Sequence, residues 1–215
     1  MKSILFQNEH IIAVHKPSGW LSVPGRDGKK EERDCLSFWL QDRLKLQLFP
    51  VHRLDREVSG VILYAKNAEA HRAFNLGFEN HTIRKTYQAL SLKIENLPSA
   101  PMKWENLLVR GKKRAFEAPH GKKAITEVSK IEKGQLEKYL CSIWELHPIT
   151  GRSHQLRVHM NQAGFVIWGD ILYGDNELFG DGAIALRSIR ADIPENLSLK
   201  FGIPAFIETE KFIGK

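Results

Sequence analysis

The chain has 215 residues, 42% hydrophobic and 27% charged, an ordinary globular make-up, long enough for one substantial core or for two small lobes. No stretch approaches the roughly 18 consecutive apolar residues of a membrane span, and Cys35 and Cys141 are too few and too far apart for a disulfide framework or a zinc site, which fits a reducing cytoplasm. The excess of 32 Lys+Arg over 25 Asp+Glu, a formal charge of +7, favours a polyanionic partner, although basic charge also serves solubility alone.

The N-terminal MKSILFQNEHIIAVHK has a short apolar run broken by Gln7, Asn8 and Glu9 with no small-residue cleavage site after it, so a secretory leader is not expected. ILFQNEHIIAVHKPSG reads as two short strands around an Asn8-Glu9 turn, stopped by Pro17-Ser18-Gly19. A loop follows through VPGRDGKKEERD. Leu36, Trp39, Leu40, Leu44 and Leu48 recur at helical spacing, which predicts a helix over 35–48 capped by Asp34. HRLDREVSGVILYAK passes from polar to apolar, making VILYA a buried strand. NAEAHRAFNLGFENH is a helix with Ala70, Ala73, Phe74 and Phe78 on its apolar face.

TIRKTYQALSLKI, ITEVSKIEK and LEKYLCSIWELHP read as further strands, neighbours in a mixed sheet. Residues 96–123, rich in Pro, Gly and Lys, read as a connection. Its GKKR (111–114) and GKK (121–123) are either solvated hairpin tips or phosphate contacts. SHQLRVHMNQAG is a short helix, and AIALRSIRADIP and LSLKF are late strands; no internal repeat redirects this reading.

The polar clusters leave several chemistries open. His52, Asp55, His154 and His159 invite a metal, but His154 and His159 are five apart, where a two-histidine helical site uses positions four apart. Ser153 beside His154 is no nucleophile and base, because adjacent helix residues do not face each other. Thr150-Gly151-Arg152 opens the helix either as a phosphate site or as a plain turn capped by Thr150. Asp55 and Arg157 each stand among apolar residues, near the interior boundary where unpaired charge is costly, as a structural ion pair or a reactive one.

HRLDREVSGVILYAK, RKTYQAL, HPITGRSHQLRVHM and GDILYG follow one another in the order and rough spacing of the signature segments of the RluA family of RNA pseudouridine synthases. The chain resembles that family from about Ile4 to Gly174, and HKPSGWLSVPGR with ITGRSHQLRVHM is most similar to the RluA subgroup lacking a separate S4 domain. The resemblance implies an α+β pseudouridine synthase fold over 1–215 as one catalytic domain. It carries a central mixed, mainly antiparallel sheet, flanking helices and an RNA-binding cleft.

Residue by residue, the resemblance puts Asp55 of HRLD on the catalytic aspartate and Arg53 on the arginine that fills the space left by a flipped nucleotide. Tyr87 of RKTY falls on the tyrosine that packs on the target base, and Arg157 of HQLRVH on the basic partner of the aspartate. Asp55, Tyr87 and Arg157 are thus the candidate catalytic set, with Arg53, Lys85, Arg152 and His154 as candidate substrate contacts. Val58 departs from the Thr of a usual TSG, and Leu186-Arg187-Ser188 from a usual Leu-His-Ala.

The implied reaction breaks the N1–C1′ bond of a uridine, turns the base and rejoins it through C5, without a metal, redox cofactor or nucleotide donor. It requires Asp55 ionised, which an adjacent guanidinium favours against burial. The expected partner is RNA, a tRNA anticodon stem-loop or a 23S rRNA hairpin, with no DNA or membrane, for a cytoplasmic monomer. A glycosidase would want a second carboxylate to activate water, and a non-catalytic RNA-binding protein would not need Asp55, Tyr87 and Arg157 together.

Overall fold

The computed structural model describes residues 3–25 and 34–214. In chain order its elements are β1 (Ile4–Gln7), β2 (Ile11–Lys16), α1 (Leu36–Leu44), β3 (Phe49–Pro50), β4 (Ser59–Ala65), α2 (Ala68–Glu79), β5 (Arg84–Ser91), β6 (Met102–Arg110), β7 (Ala115–Glu117), β8 (Lys122–Leu136), β9 (Tyr139–Pro148), α3 (Gln155–Gln162), a 3-10 turn (Ile171–Tyr173), β10 (Leu186–Asp192), α4 (Glu195–Phe201) and β11 (Phe206–Glu208). This is the expected α+β class, with long antiparallel strands and few, short helices. No helix among the described residues is long and apolar enough to cross a membrane. The loop expected over residues 23–34 lies mostly outside the described residues.

The chain divides into two compact units. The first takes residues up to Arg84 and returns for Ser188–Thr209; the second takes Lys85–Arg187 and the segment from Glu210. In the first unit the strand order is β1-β2-β4-β10, with β3 on β4 and β11 on β10. β2 runs antiparallel to β4 from Ile11↔Ala65 to Lys16↔Gly60. Alternation along these strands sends Ile11, Ala13, Val61, Leu63 and Ala65 into one buried cluster, closed by Phe74 of α2 and Leu197 and Phe201 of α4. Asn67 accepts the Ala70 N–H at 2.9 Å and so caps α2, the local reason the helix starts there. At Gly60, with φ +113°, a Cβ would lie 2.1 Å from the Ser188 carbonyl oxygen, so no side chain fits where β10 approaches β4.

Three local expectations are corrected. Asp34 does not cap α1: the Leu36 N–H goes to the Leu21 carbonyl at 2.8 Å, Leu21 returns a bond to Asp34 O, and the helix ends at Leu44 before a left-handed Lys45. LSLKF is the end of α4, because Leu197 and Phe201, four apart, both turn into the first unit's core. The connection expected over 96–123 contains β6 and β7.

The second unit stacks β5-β9-β8-β6-β7 with antiparallel pairing throughout, from Tyr87↔Leu146 across β5 and β9 to Arg110↔Ala115 across β6 and β7. β8 carries an irregularity between Val128 and Lys130. α3 packs on this sheet, where Val158 joins Leu108, Ala115, Ala124 and Tyr173 in a small apolar cluster.

Candidate active site

In the first unit, Arg53 and Asp55 sit on the turn that leads from β3 into β4, and the chain on either side of Asp55 is tied down twice. Leu54 donates its N–H to Ser22 Oγ at 3.0 Å, and its carbonyl accepts from that hydroxyl at 2.8 Å. Arg56 exchanges a reciprocal pair with Gly19, its carbonyl accepting the Gly19 N–H and its Nε donating to the Gly19 carbonyl, each at 2.9 Å. The Val58 N–H closes the turn on the Asp55 carbonyl at 3.2 Å. Between these ties Asp55 is half-buried, while Arg53 and Arg56 are exposed. The alternation of exposed arginine, buried leucine, half-buried aspartate and exposed arginine in RLDR therefore answers to a fixed turn, with Asp55 held at its edge.

Lys16 is the member of this unit that the sequence reading missed. It is 0% exposed, and its ammonium donates to three carbonyls, Trp20 at 2.7 Å, Pro17 at 3.0 Å and Arg56 at 3.1 Å, so all three N–H groups are used. Burial pulls its pKa down to about 7, while the charges of Glu57 and Asp55 pull it back up. By reciprocity a charged Lys16 favours ionised Asp55.

An unfolded lysine holds its proton to about 10.5. Between the folded and unfolded values the unfolded chain therefore binds more protons, and unfolding free energy rises with pH by up to about 1.4 kcal/mol per unit. Below the folded value both states are protonated and this slope vanishes. Lys16→Met is expected to remove the rise. Urea unfolding of both proteins between pH of about 7 and 9 measures it, and parallel pH profiles would contradict the assignment.

The second unit holds Lys85, Tyr87, Arg152, His154 and Arg157. Lys85 and Tyr87 lie on β5, two apart and so on the same face; burial pulls Lys85 down to about 8, and Tyr87 is 7% exposed. Arg157, on α3, is 2% exposed. Its Nε and Nη2 donate to the two carboxylate oxygens of Asp170, both at 2.7 Å, and its guanidinium lies 5.2 Å from the Tyr173 ring centre. Asp170 is itself 1% exposed. It is the second residue missing from the sequence reading, which took GDILYG as a signature segment without giving its carboxylate a partner. Two of the five guanidinium donors go to Asp170.

Thr150 does not cap α3. Its hydroxyl accepts from Ile125 N and donates to Gln155 Oε1, while the Arg152 N–H also goes to Gln155. His154 occupies the capping position with a left-handed backbone, φ +53°. Ser153 lies outside the helix and meets Arg110, an arginine absent from the candidate set. His159, read as a possible metal ligand, is buried against Thr126 and Asn106 at 2.9 and 2.8 Å, and burial pulls its pKa down to about 4. It is a neutral core histidine. The structure thus groups Arg53 with Asp55 in one unit and Lys85 with Tyr87, and Arg152 with His154, in the other. Arg157 is fastened to Asp170.

Residues 10–162 match the family described as RNA pseudouridylate synthase. Over 180 residues the chain is 38% identical to the dual-specificity RNA pseudouridine synthase RluA of Vibrio parahaemolyticus, covering 81% of this chain and 70% of that protein. Over 199 residues it is 33% identical to tRNA pseudouridine synthase C of Vibrio cholerae, covering 87% and 81%. Against tRNA pseudouridine synthase C of Pectobacterium carotovorum, also 33% identical, the match spans 81% of this chain and 49% of the relative. Among solved structures, human RNA pseudouridylate synthase domain containing 1 superposes with a TM-score of 0.71 at 23% identity, over 90% of this chain and 79% of that one. Human domain containing 4 gives 0.66 at 21%, over 89% and 84%; both share the fold. The chain belongs to the RNA pseudouridylate synthase family and is an RNA pseudouridine synthase, an isomerase of the RluA type.

Proposed function

We propose that the enzyme isomerises a uridine in a structured RNA loop, a tRNA anticodon stem-loop, a 23S rRNA hairpin or both, as a cytoplasmic monomer, and that Asp55 is the carboxylate that acts on the nucleotide. The observation that carries this is the doubly tied turn, which holds Asp55 half-exposed beside the buried ammonium of Lys16 and two residues beyond an exposed Arg53. The names of the relatives from Vibrio, one dual-specificity and one a tRNA enzyme, support the choice of RNA classes.

The target uridine leaves its stack at a cost of a few kcal/mol. Arg53 fills the gap, and Tyr87 offsets part of the cost, since base–aromatic stacking is worth roughly 1–3 kcal/mol. A buried tyrosine supplies a fixed surface and loses little rotamer freedom on binding. The N1–C1′ bond then breaks, the uracil turns, a C5–C1′ bond forms, C5 loses its proton and N1 gains one, with no net change of atoms. A carboxylate assists either by attacking the nucleotide or by removing a sugar proton, and both need it ionised. Lys16 favours that state within the turn. Arg157, held in orientation by Asp170, is the second cation of the scheme. Lys85, Arg152 and His154 contact the RNA.

Mapping pseudouridine in RNA from cells with and without the protein, alongside an assay for released uracil, tests the reading. The expected result is the loss of one or a few pseudouridines and no free uracil. Unchanged maps, or uracil release, would overturn it.

A further inference from the structure

β6 ends in an arginine that the scheme above leaves unused. Along that strand Asn106, Leu108 and Arg110 share one face, and residues of α3 and the turn before it meet them in register. Asn106 bonds Gln162 and His159 at 2.7 and 2.8 Å, and Leu108 clusters with Val158. Arg110 Nη1 donates to Ser153 Oγ at 2.6 Å and to His154 Nε2 at 3.0 Å. Because Nε2 accepts, the His154 ring proton sits on Nδ1 and goes to Tyr173 Oη at 3.0 Å. That oxygen also accepts the Ala115 N–H and donates to the Ala115 carbonyl, both at 2.9 Å. The chain of donors and acceptors is complete, and it fastens His154 in its left-handed conformation with Arg110 on its outer side.

The row ends at open surface. Arg110 and Gly151 are exposed, and a Cβ on Gly151 would meet nothing within 4 Å. Arg152 is aimed by its Nε bond to the Lys123 carbonyl at 2.9 Å. Among the described residues no carboxylate pairs with Arg110 or Arg152, whereas Lys123 and Lys103 nearby are shared with Glu105 at 2.6 and 3.4 Å. Ser153 Oγ accepts from Arg110 and keeps its own proton to donate.

We propose that Arg110, with Arg152 and Ser153, seats a backbone phosphate of the substrate RNA. A guanidinium already fixed on a hydroxyl and an imidazole gives up little freedom when it takes an anion, and its planar fork suits a phosphate. The site positions the RNA without reading sequence. It rests on the reading of the chain as an RNA-modifying enzyme.

The test is the salt dependence of binding to an anticodon stem-loop RNA and to an unrelated hairpin of equal length. Arg110→Gln is expected to make the slope of log affinity against log salt shallower by about 0.7–0.9, equally for both RNAs. Arg110→Lys, which keeps the charge, is expected to retain the slope, and Arg72→Gln on α2 to leave it unchanged. Unfolding midpoints matching wild type would certify the folded state of this exposed substitution. An unaltered slope in Arg110→Gln, or an equal loss in Arg72→Gln, would overturn the site while leaving the enzyme's function standing. A wild type that binds neither RNA would overturn both.

Discussion

Asp170→Ala is expected to destabilise the protein by about 3–5 kcal/mol and to abolish most turnover, because it leaves the Arg157 guanidinium buried without the carboxylate that takes two of its donors. Both groups are at most 2% exposed and both bonds are 2.7 Å, so water does not replace the lost partner. The Tyr173 ring, 5.2 Å away, offers only a weak substitute. Removing the charge as well should relieve the penalty: Asp170→Ala with Arg157→Met is expected to recover much of the stability and none of the activity. Arg157→Lys keeps a positive charge but loses the fork, and is expected to fold and bind RNA with reduced turnover. Denaturant unfolding and single-turnover rates over this cycle separate the structural pair from the catalytic use of Arg157. An Asp170→Ala protein within about 1 kcal/mol of wild type, fully active, would show that the pair does not hold the arginine, against the 3–5 kcal/mol that breaking a buried pair usually costs.

The turn around Asp55 was readable because its signals are local: HRLDREVSG places charge, apolar residue and turn within a few positions, and the strand VILYA follows directly. Asp170 was not, since its partner lies 13 residues away across a turn of Gly and aromatic residues, and no periodicity links the two. Lys16 was hidden for a related reason. It ends a strand in front of Pro17, where a lysine ordinarily reaches solvent, and the carbonyls of Pro17, Trp20 and Arg56 together make its burial tolerable.

Residues 102–110 alternate in exposure along β6, so MKWENLLVR held a strand signal that the surrounding Pro, Gly and Lys obscured. LSLKF alternates like a strand over five residues, yet the first unit's core selects the spacing of Leu197 and Phe201, four apart, and makes it a helix. Arg110 escaped notice because its meaning depends on the register of a strand against a helix.

The second large effect is expected at Asp55. Asparagine has nearly the shape of aspartate, so the Asp55→Asn turn should keep its ties through Leu54, Arg56 and Ser22, which involve none of the Asp55 side chain. The amide carries no negative charge and is neither a nucleophile nor a useful base, so the bond exchange at C1′ should stop. Loss of a negative charge cannot weaken attraction to a polyanion, so affinity for RNA should hold within a few-fold. The most direct measurement is single-turnover conversion of an anticodon stem-loop RNA by purified, folded Asp55→Asn beside wild type, with binding measured on the same samples. Conversion by wild type alone, with RNA bound comparably by both, is the predicted result; substantial pseudouridine formed by Asp55→Asn would contradict it.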